Sequence, residues 1–323
     1  MNAVRGILRV STTKTCSQSF TTTTSLLRQN HHVRFLTTSS SDSLVDWHVD
    51  SASKVGTITL QSPQSFNALT MELGAAFHST ITQIRHDLTT GRQNVNAIVL
   101  QGAGDKAFSA GGNVAWLQSL RHNSIPENEA LMLQFYRSFL SIRQLPVPVV
   151  AALQGPAIGA GCCLAMACDL RVAVADTKLL GFTFSKLGIH SGLGGTHLLQ
   201  RLVGSSSKAN EWLLTGKVLT GREAHQWGLV NRLVDDVRDV KPAAVELAHE
   251  VARQNPMAIR TMIATLRYQQ DQGLEESILM EAKAQAICYS RNDWGEGVQA
   301  AIEKRDPEFD DYHTTPATTA TNK

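Results

Sequence analysis

Gly155-Pro-Ala-Ile-Gly-Ala-Gly-Cys-Cys-Leu-Ala-Met-Ala-Cys-Asp169 decides how the rest of the chain is read. A glycine-rich turn feeds straight into a helix, whose start the pattern puts at about Cys162. Small residues at Gly159, Ala160 and Gly161 let another group approach the backbone. The first N–H groups of a helix have no intrahelical partner. Together these features make a seat for an oxygen that carries or gains negative charge. The side chain at the mouth of the turn is Cys163, not an acid.

Working outward, Val147 to Cys168 carries no charge, a length that suggests a membrane span. Pro148, Gly155, Pro156, Gly159 and Gly161 interrupt it, so Val147–Leu153 reads as a buried strand and no span is expected. Upstream, Trp47–Leu60 alternates as two strands around a turn near Ser51–Lys54. Thr70 caps a helix to about Leu88, with Leu73, Phe77, Ile81 and Ile84 on one face. Asn96–Gln101 is a short strand, and Gly102–Asn113 is a second glycine-rich loop. A helix-rich segment runs on to about Gln144. Downstream, Leu170–Ala175 is a strand, and Leu187–Gly195 is a third glycine-rich loop. From Thr196 to about Glu303 the pattern reads as helical throughout. Alternating strands and helices followed by helices alone predict an α/β core with a helical appendage. Three glycine-rich loops after strands point to one cleft at strand ends.

Hydrophobic residues at 42% and charged residues at 18% are globular values. The charge divides unevenly. Residues 1–41 hold Arg5, Arg9, Lys14, Arg28 and Arg34 and no acid, amid many Ser and Thr. That composition predicts an organelle transit peptide, with Arg34–Ser39 resembling a mitochondrial processing site and the matrix as destination. Without those five cations the net charge of +2 becomes −3, which gives nucleic-acid binding no basic face. Cys16, Cys162, Cys163, Cys168 and Cys288 form no CxxC pair, so neither a metal site nor a disulfide framework is expected.

Four segments together resemble the crotonase superfamily, the enoyl-CoA hydratase/isomerase family, from about Trp47 to Phe309. They are Phe66–Leu69, Lys106–Asn113, Gly155–Asp169, and Gly192–Thr196 with Leu214–Gly216 and Ala224–Val230 behind it. The resemblance implies an α/β fold, a spiral of repeated ββα turns with a C-terminal helical region. Composition and resemblance together divide the chain into a transit peptide over 1–42, an acyl-CoA-binding core over 43–240, a helical trimerisation region over 241–310 and a Thr-rich, disordered tail over 311–323. The resemblance also implies a homotrimer or homohexamer. Coenzyme A enters as part of the substrate, and no separate cofactor is expected.

By the same resemblance the thioester oxygen sits between the N–H groups of Ala110 and Ala160. Gln64, Ser65 and Phe66 line one side of the CoA pocket, and Lys106, Ala107, Gly111 and Gly112 the other. Asn113 stands where the family usually has Asp. Lys304 matches a basic residue that reaches CoA phosphates. Family hydratases carry two glutamates, at the places held here by Cys163 and Phe184. Phe exchanges no proton, which puts the two-acid route in doubt. Cys163 is either a helix-start thiol with a lowered pKa or inert core filler. His190, the titratable group of the third loop, and Ser191 are the other candidates for proton handling. Asp169 reads as structural, and His197 as a capping or packing residue. The expectation is an enoyl-CoA hydratase/isomerase-type enzyme of fatty-acid or branched-chain acyl-CoA breakdown. The alternatives are an acyl-CoA decarboxylase and a non-catalytic acyl-CoA-binding protein.

Overall fold

The computed structural model describes residues 43–309; the expected transit peptide and tail lie outside them. Nine strands run β1 Val45–Asp50, β2 Val55–Leu60, β3 Ala97–Gly102, β4 Val149–Leu153, β5 Ala157–Ile158, β6 Leu170–Val174, β7 Lys178–Gly181, β8 Val218–Thr220 and β9 Arg232–Val234. One sheet has the order β1-β2-β3-β4-β6-β9, and a smaller one the order β5-β7-β8. In the large sheet only the β1–β2 hairpin is antiparallel. Its central strands are apolar at almost every position, because a parallel sheet is covered on both faces. β4, Val-Val-Ala-Ala-Leu, is buried throughout. The helix Val240–Ala252 packs on β3 and β4, with Ala244 and Ala248 wholly buried.

Local signals set several boundaries. Thr70 Oγ1 accepts from Leu73 N at 3.1 Å and starts the helix Met71–Thr89. Ser124 and Glu127 form a reciprocal capping box at the head of Ile125–Leu140. That arrangement satisfies two donors the helix itself leaves open. The expectation of helix alone after Thr196 is corrected: β8 and β9 fall inside that span. Three-residue strands are too short to show a period of two, and their neighbours' apolar residues recur at helical spacing. Beyond Val234 the described chain is helical, ending with Pro256–Gln270, Leu274–Tyr289 and Asn292–Glu303. This is the crotonase fold that the resemblance implies.

Candidate active site

The first and second glycine-rich loops are stitched to each other by backbone bonds. Phe108 N donates to Pro156 O (3.1 Å), and Ile158 N donates to Ser109 O (3.0 Å). Gln154, buried at the end of β4, donates through Nε2 to Gly102 O and Ala107 O, both at 2.9 Å. The approach is close enough to exclude side chains. A Cβ on Gly111 (φ +88) would sit 2.4 Å from Ile158 O, and one on Gly161 would sit 2.6 Å from Ser109 O. Glycine is the residue that permits both.

Asn67 braces the mouth of this assembly. Wholly buried, with φ +54, it donates through Nδ2 to Ala103 O and Ala107 O and accepts from Ser62 N. Phe66 before it is also left-handed, at φ +56. This turn aims Phe66 O at Ala110 N, which donates to it at 2.9 Å. The expected oxygen-binding pair is therefore corrected, because the Ala110 N–H is already committed. The N–H of Gly112, two residues on, has no acceptor among the described residues, and neither has that of Ala160. The helix that follows the Gly155–Gly159 turn runs Ala160–Ala167 and does not start at Cys162. Ala160 is thus its first residue, with an N–H that the helix cannot use.

Gly112 and Ala160 both line an enclosed cavity, together with Leu117, Met132, Phe135 and Ile158. Phe184 also lines it, and its ring lies 3.7 Å from where a Gly159 Cβ would stand. A phenyl ring thus occupies the place of a family acid.

Three expected proton carriers do not reach this cavity. Cys163 is wholly buried, with Sγ 2.9 Å from the Cβ position of Gly195. Burial pushes its thiol well above the usual range. Desolvation of the thiolate outweighs the helix terminus, so the core-filler reading holds and the lowered pKa is corrected. His190 lines no described part of the cavity; its ring Nδ1–H donates to Ser191 O at 2.6 Å. Ser191 is buried beside Cys163 and is likewise absent from the lining. Both loop residues fall between Ile189 and Gly192, which do line it.

The polar groups that line the cavity come from elsewhere. Tyr136 Oη donates to Gln285 Oε1 (2.6 Å), and Gln285 Nε2 donates to His190 O (2.7 Å). Thr183 and Tyr289 complete the set. Sequence reading missed Tyr136, Gln285 and Tyr289. Tyr136 continues the stripe Met132, Phe135, Phe139 and reads as core, while Gln285 and Tyr289 sit on a helix with no motif. No carboxylate lines the cavity among the described residues.

A second, more open cavity lies over the second glycine-rich loop, lined by Gln64, Phe66, Asn67, Lys106 and Ala107. Ser65 is turned to Ser62, with their hydroxyls 2.8 Å apart, and does not line it. Lys241, unforeseen, donates to Gly104 O (2.8 Å) and stands 3.5 Å from Asp105 on the same rim. Asn113 does not contact this cavity. Its side chain caps the helix Val114–Ser119 by accepting from Trp116 N at 2.9 Å. Lys304 is exposed at the end of Asn292–Glu303 and lines neither cavity. Asp169 is structural as read, accepting from Val149 N and pairing with buried Arg267. His197 bonds Gln270 O at 2.8 Å.

The site thus offers two unpartnered N–H donors in a largely apolar cavity, and a second, more open cavity lined in part by Lys106. The profile of the enoyl-CoA hydratase/isomerase family matches residues 50–312, and the chain belongs to that family. It is 32% identical to a crotonyl-CoA hydratase of Syntrophomonas wolfei over 79% of this chain and 94% of that one. It is 31% identical to a short-chain-enoyl-CoA hydratase of Clostridium acetobutylicum over 78% and 92%. The solved structure of an enoyl-CoA hydratase from Mycobacterium avium superposes with a TM-score of 0.70 at 24% identity, covering 83% of this chain and 99% of that one; that likeness shows the fold. These relatives are bacterial, and bacteria have no mitochondrion. The finding points away from the expected matrix location, which is corrected on that ground. No helix among the described residues is long and apolar enough to cross a membrane.

Proposed function

We propose that this chain binds a short acyl-CoA thioester with its carbonyl oxygen between the N–H groups of Gly112 and Ala160. There it stabilises the enolate-like species of enoyl-CoA hydratase/isomerase-type chemistry. The observation that carries this reading is the pair of unpartnered N–H donors on two loops locked together by glycine contacts. Donors fixed beforehand cost no reorganisation when charge moves onto the oxygen. The CoA portion lies over Gln64, Phe66 and Lys106, with Lys106 and Lys241 supplying positive charge for phosphates. The reading assigns the protein to fatty-acid or branched-chain acyl-CoA breakdown. Exposed Met257, Met262, Leu266, Tyr268 and Met280 on the C-terminal helices support a homotrimer or homohexamer, since such apolar surface marks association.

Phe184 favours a second reading, decarboxylation of a malonyl-type thioester. Cleavage of the carbon–carboxylate bond releases CO₂ and leaves its electron pair on the α-carbon, delocalised onto the thioester oxygen. Water then protonates that carbon. This route needs the two N–H groups but no base, which suits a cavity without a carboxylate. A mass-spectrometric screen of purified protein against crotonyl-CoA and malonyl-type thioesters separates the two. Ala160→Pro replaces the N–H with a ring methylene, at a first helical position where proline is tolerated, and is expected to lower kcat by about 10²–10³. Crotonyl-CoA hydration at the uncatalysed rate would end the hydratase reading.

A further inference from the structure

Beyond the oxygen-binding pair, the apolar cavity holds one unpaid polar group. Tyr289 is 1% exposed and lines the cavity. Its hydroxyl has no hydrogen-bond partner among the described residues. The neighbouring polar groups differ in this respect, because Tyr136, Gln285 and His190 O satisfy one another in a chain. The Tyr289 ring is held edge-to-face against buried Trp294, with centroids 5.5 Å apart. A buried hydroxyl with nothing to bond carries an uncompensated desolvation cost, so a site that keeps one is suited to a ligand that completes it.

The surroundings define that ligand. Burial pushes both phenols well above the ordinary tyrosine range. They are neutral near pH 7, and Tyr289 is a hydrogen-bond donor. No lysine or arginine lines the cavity among the described residues, so a ligand carboxylate would be buried without a counter-charge. The remaining walls, Leu117, Met132, Phe135 and Leu187 among them, are apolar. The cavity volume of about 50 Å³ admits about three to five heavy atoms. Resting on the acyl-CoA reading above, we propose that this subsite selects a short acyl chain bearing a neutral acceptor oxygen, which accepts a hydrogen bond from the Tyr289 hydroxyl.

Calorimetric titration of the full chain with matched thioesters tests this. Methoxyacetyl-CoA is paired with butyryl-CoA, and 3-methoxypropionyl-CoA with pentanoyl-CoA, so that one oxygen replaces one methylene. At least one oxygenated member is expected to bind about tenfold tighter than its partner, the value of one hydrogen bond. Tyr289→Phe is expected to abolish that preference while holding the hydrocarbon thioesters within about twofold. Equal or weaker binding of both oxygenated members to the wild-type chain overturns the subsite and leaves the acyl-CoA reading intact. So does a preference that survives in Tyr289→Phe. If the variant does not fold, the wild-type pairs decide alone. Failure of all four to bind overturns the acyl-CoA reading itself.

Discussion

Cys163 and Phe184 stand where two acids would stand, and they fail as acids for different reasons. Phe184 reaches the cavity but has no proton to exchange. Cys163 has a proton but is sealed behind the cavity, between its own helix and Gly195. Its thiol is therefore expected to be inert in the folded protein. Among the described cysteines, only half-buried Cys288 is expected to react with an alkylating reagent in the folded protein, and slowly near pH 7, because burial raises its thiol as well. Cys162, Cys163 and Cys168 should react only on unfolding. Peptide mapping after timed alkylation checks this, and rapid modification of Cys163 slowed by acyl-CoA would contradict it. The substitutions themselves were legible in the sequence, but the exposure that decides their meaning was not. Nor was the shift of the donor from Ala110 to Gly112, which depends on two consecutive left-handed residues, Phe66 and Asn67, neither of them glycine.

At the scale of elements, helix Gly195–Val203 begins at Gly194, which has no side chain to cap it. Glu281, from Leu274–Tyr289, does so from a distance, accepting from Gly194 N (2.7 Å), Thr196 N (2.8 Å) and Thr196 Oγ1 (2.5 Å). Burial nonetheless raises its carboxyl above the ordinary glutamate value of 4.5, against the pull of those bonds. Between 4.5 and that raised value the folded chain holds a proton that the unfolded chain has lost. This group's contribution to stability therefore falls as pH rises through that window. Glu281→Gln lacks the titration. The difference in Tm, wild type minus variant, is expected to decrease as pH is raised from about 4.5; a constant or widening difference would contradict the assignment. Elements with strong local signals, such as the Thr70-capped helix and the β1–β2 hairpin, were legible in sequence. β8 and β9 were not, because their pairing is decided by β7 and β6 rather than by their own three residues.

At the scale of the molecule, the spiral brings Gly112, Ala160, Thr183 and Tyr289 to one cavity from segments far apart in sequence. The loops that carry the two unpartnered N–H groups were legible because their close backbone approach needs glycine and alanine at fixed spacing. The phenols and the amide opposite were not, because each reads locally as helix core, and only tertiary packing turns it toward the cavity. The exposed methionines and Leu266 on the C-terminal helices lead to a further expectation. Light scattering on the eluting protein should give three or six times the chain mass. A monomer at micromolar concentration would contradict the proposed assembly.

The central claim is that Gly112 and Ala160 together polarise a thioester carbonyl, and vibrational spectroscopy reads that carbonyl directly. Difference infrared spectra of butyryl-CoA labelled with carbon-13 at the carbonyl, free and bound, isolate its stretch from the protein amide bands. The account predicts a shift to lower frequency on binding, reduced in Ala160→Pro protein that still binds the ligand. A bound ligand whose carbonyl frequency matches that of the free thioester would contradict it.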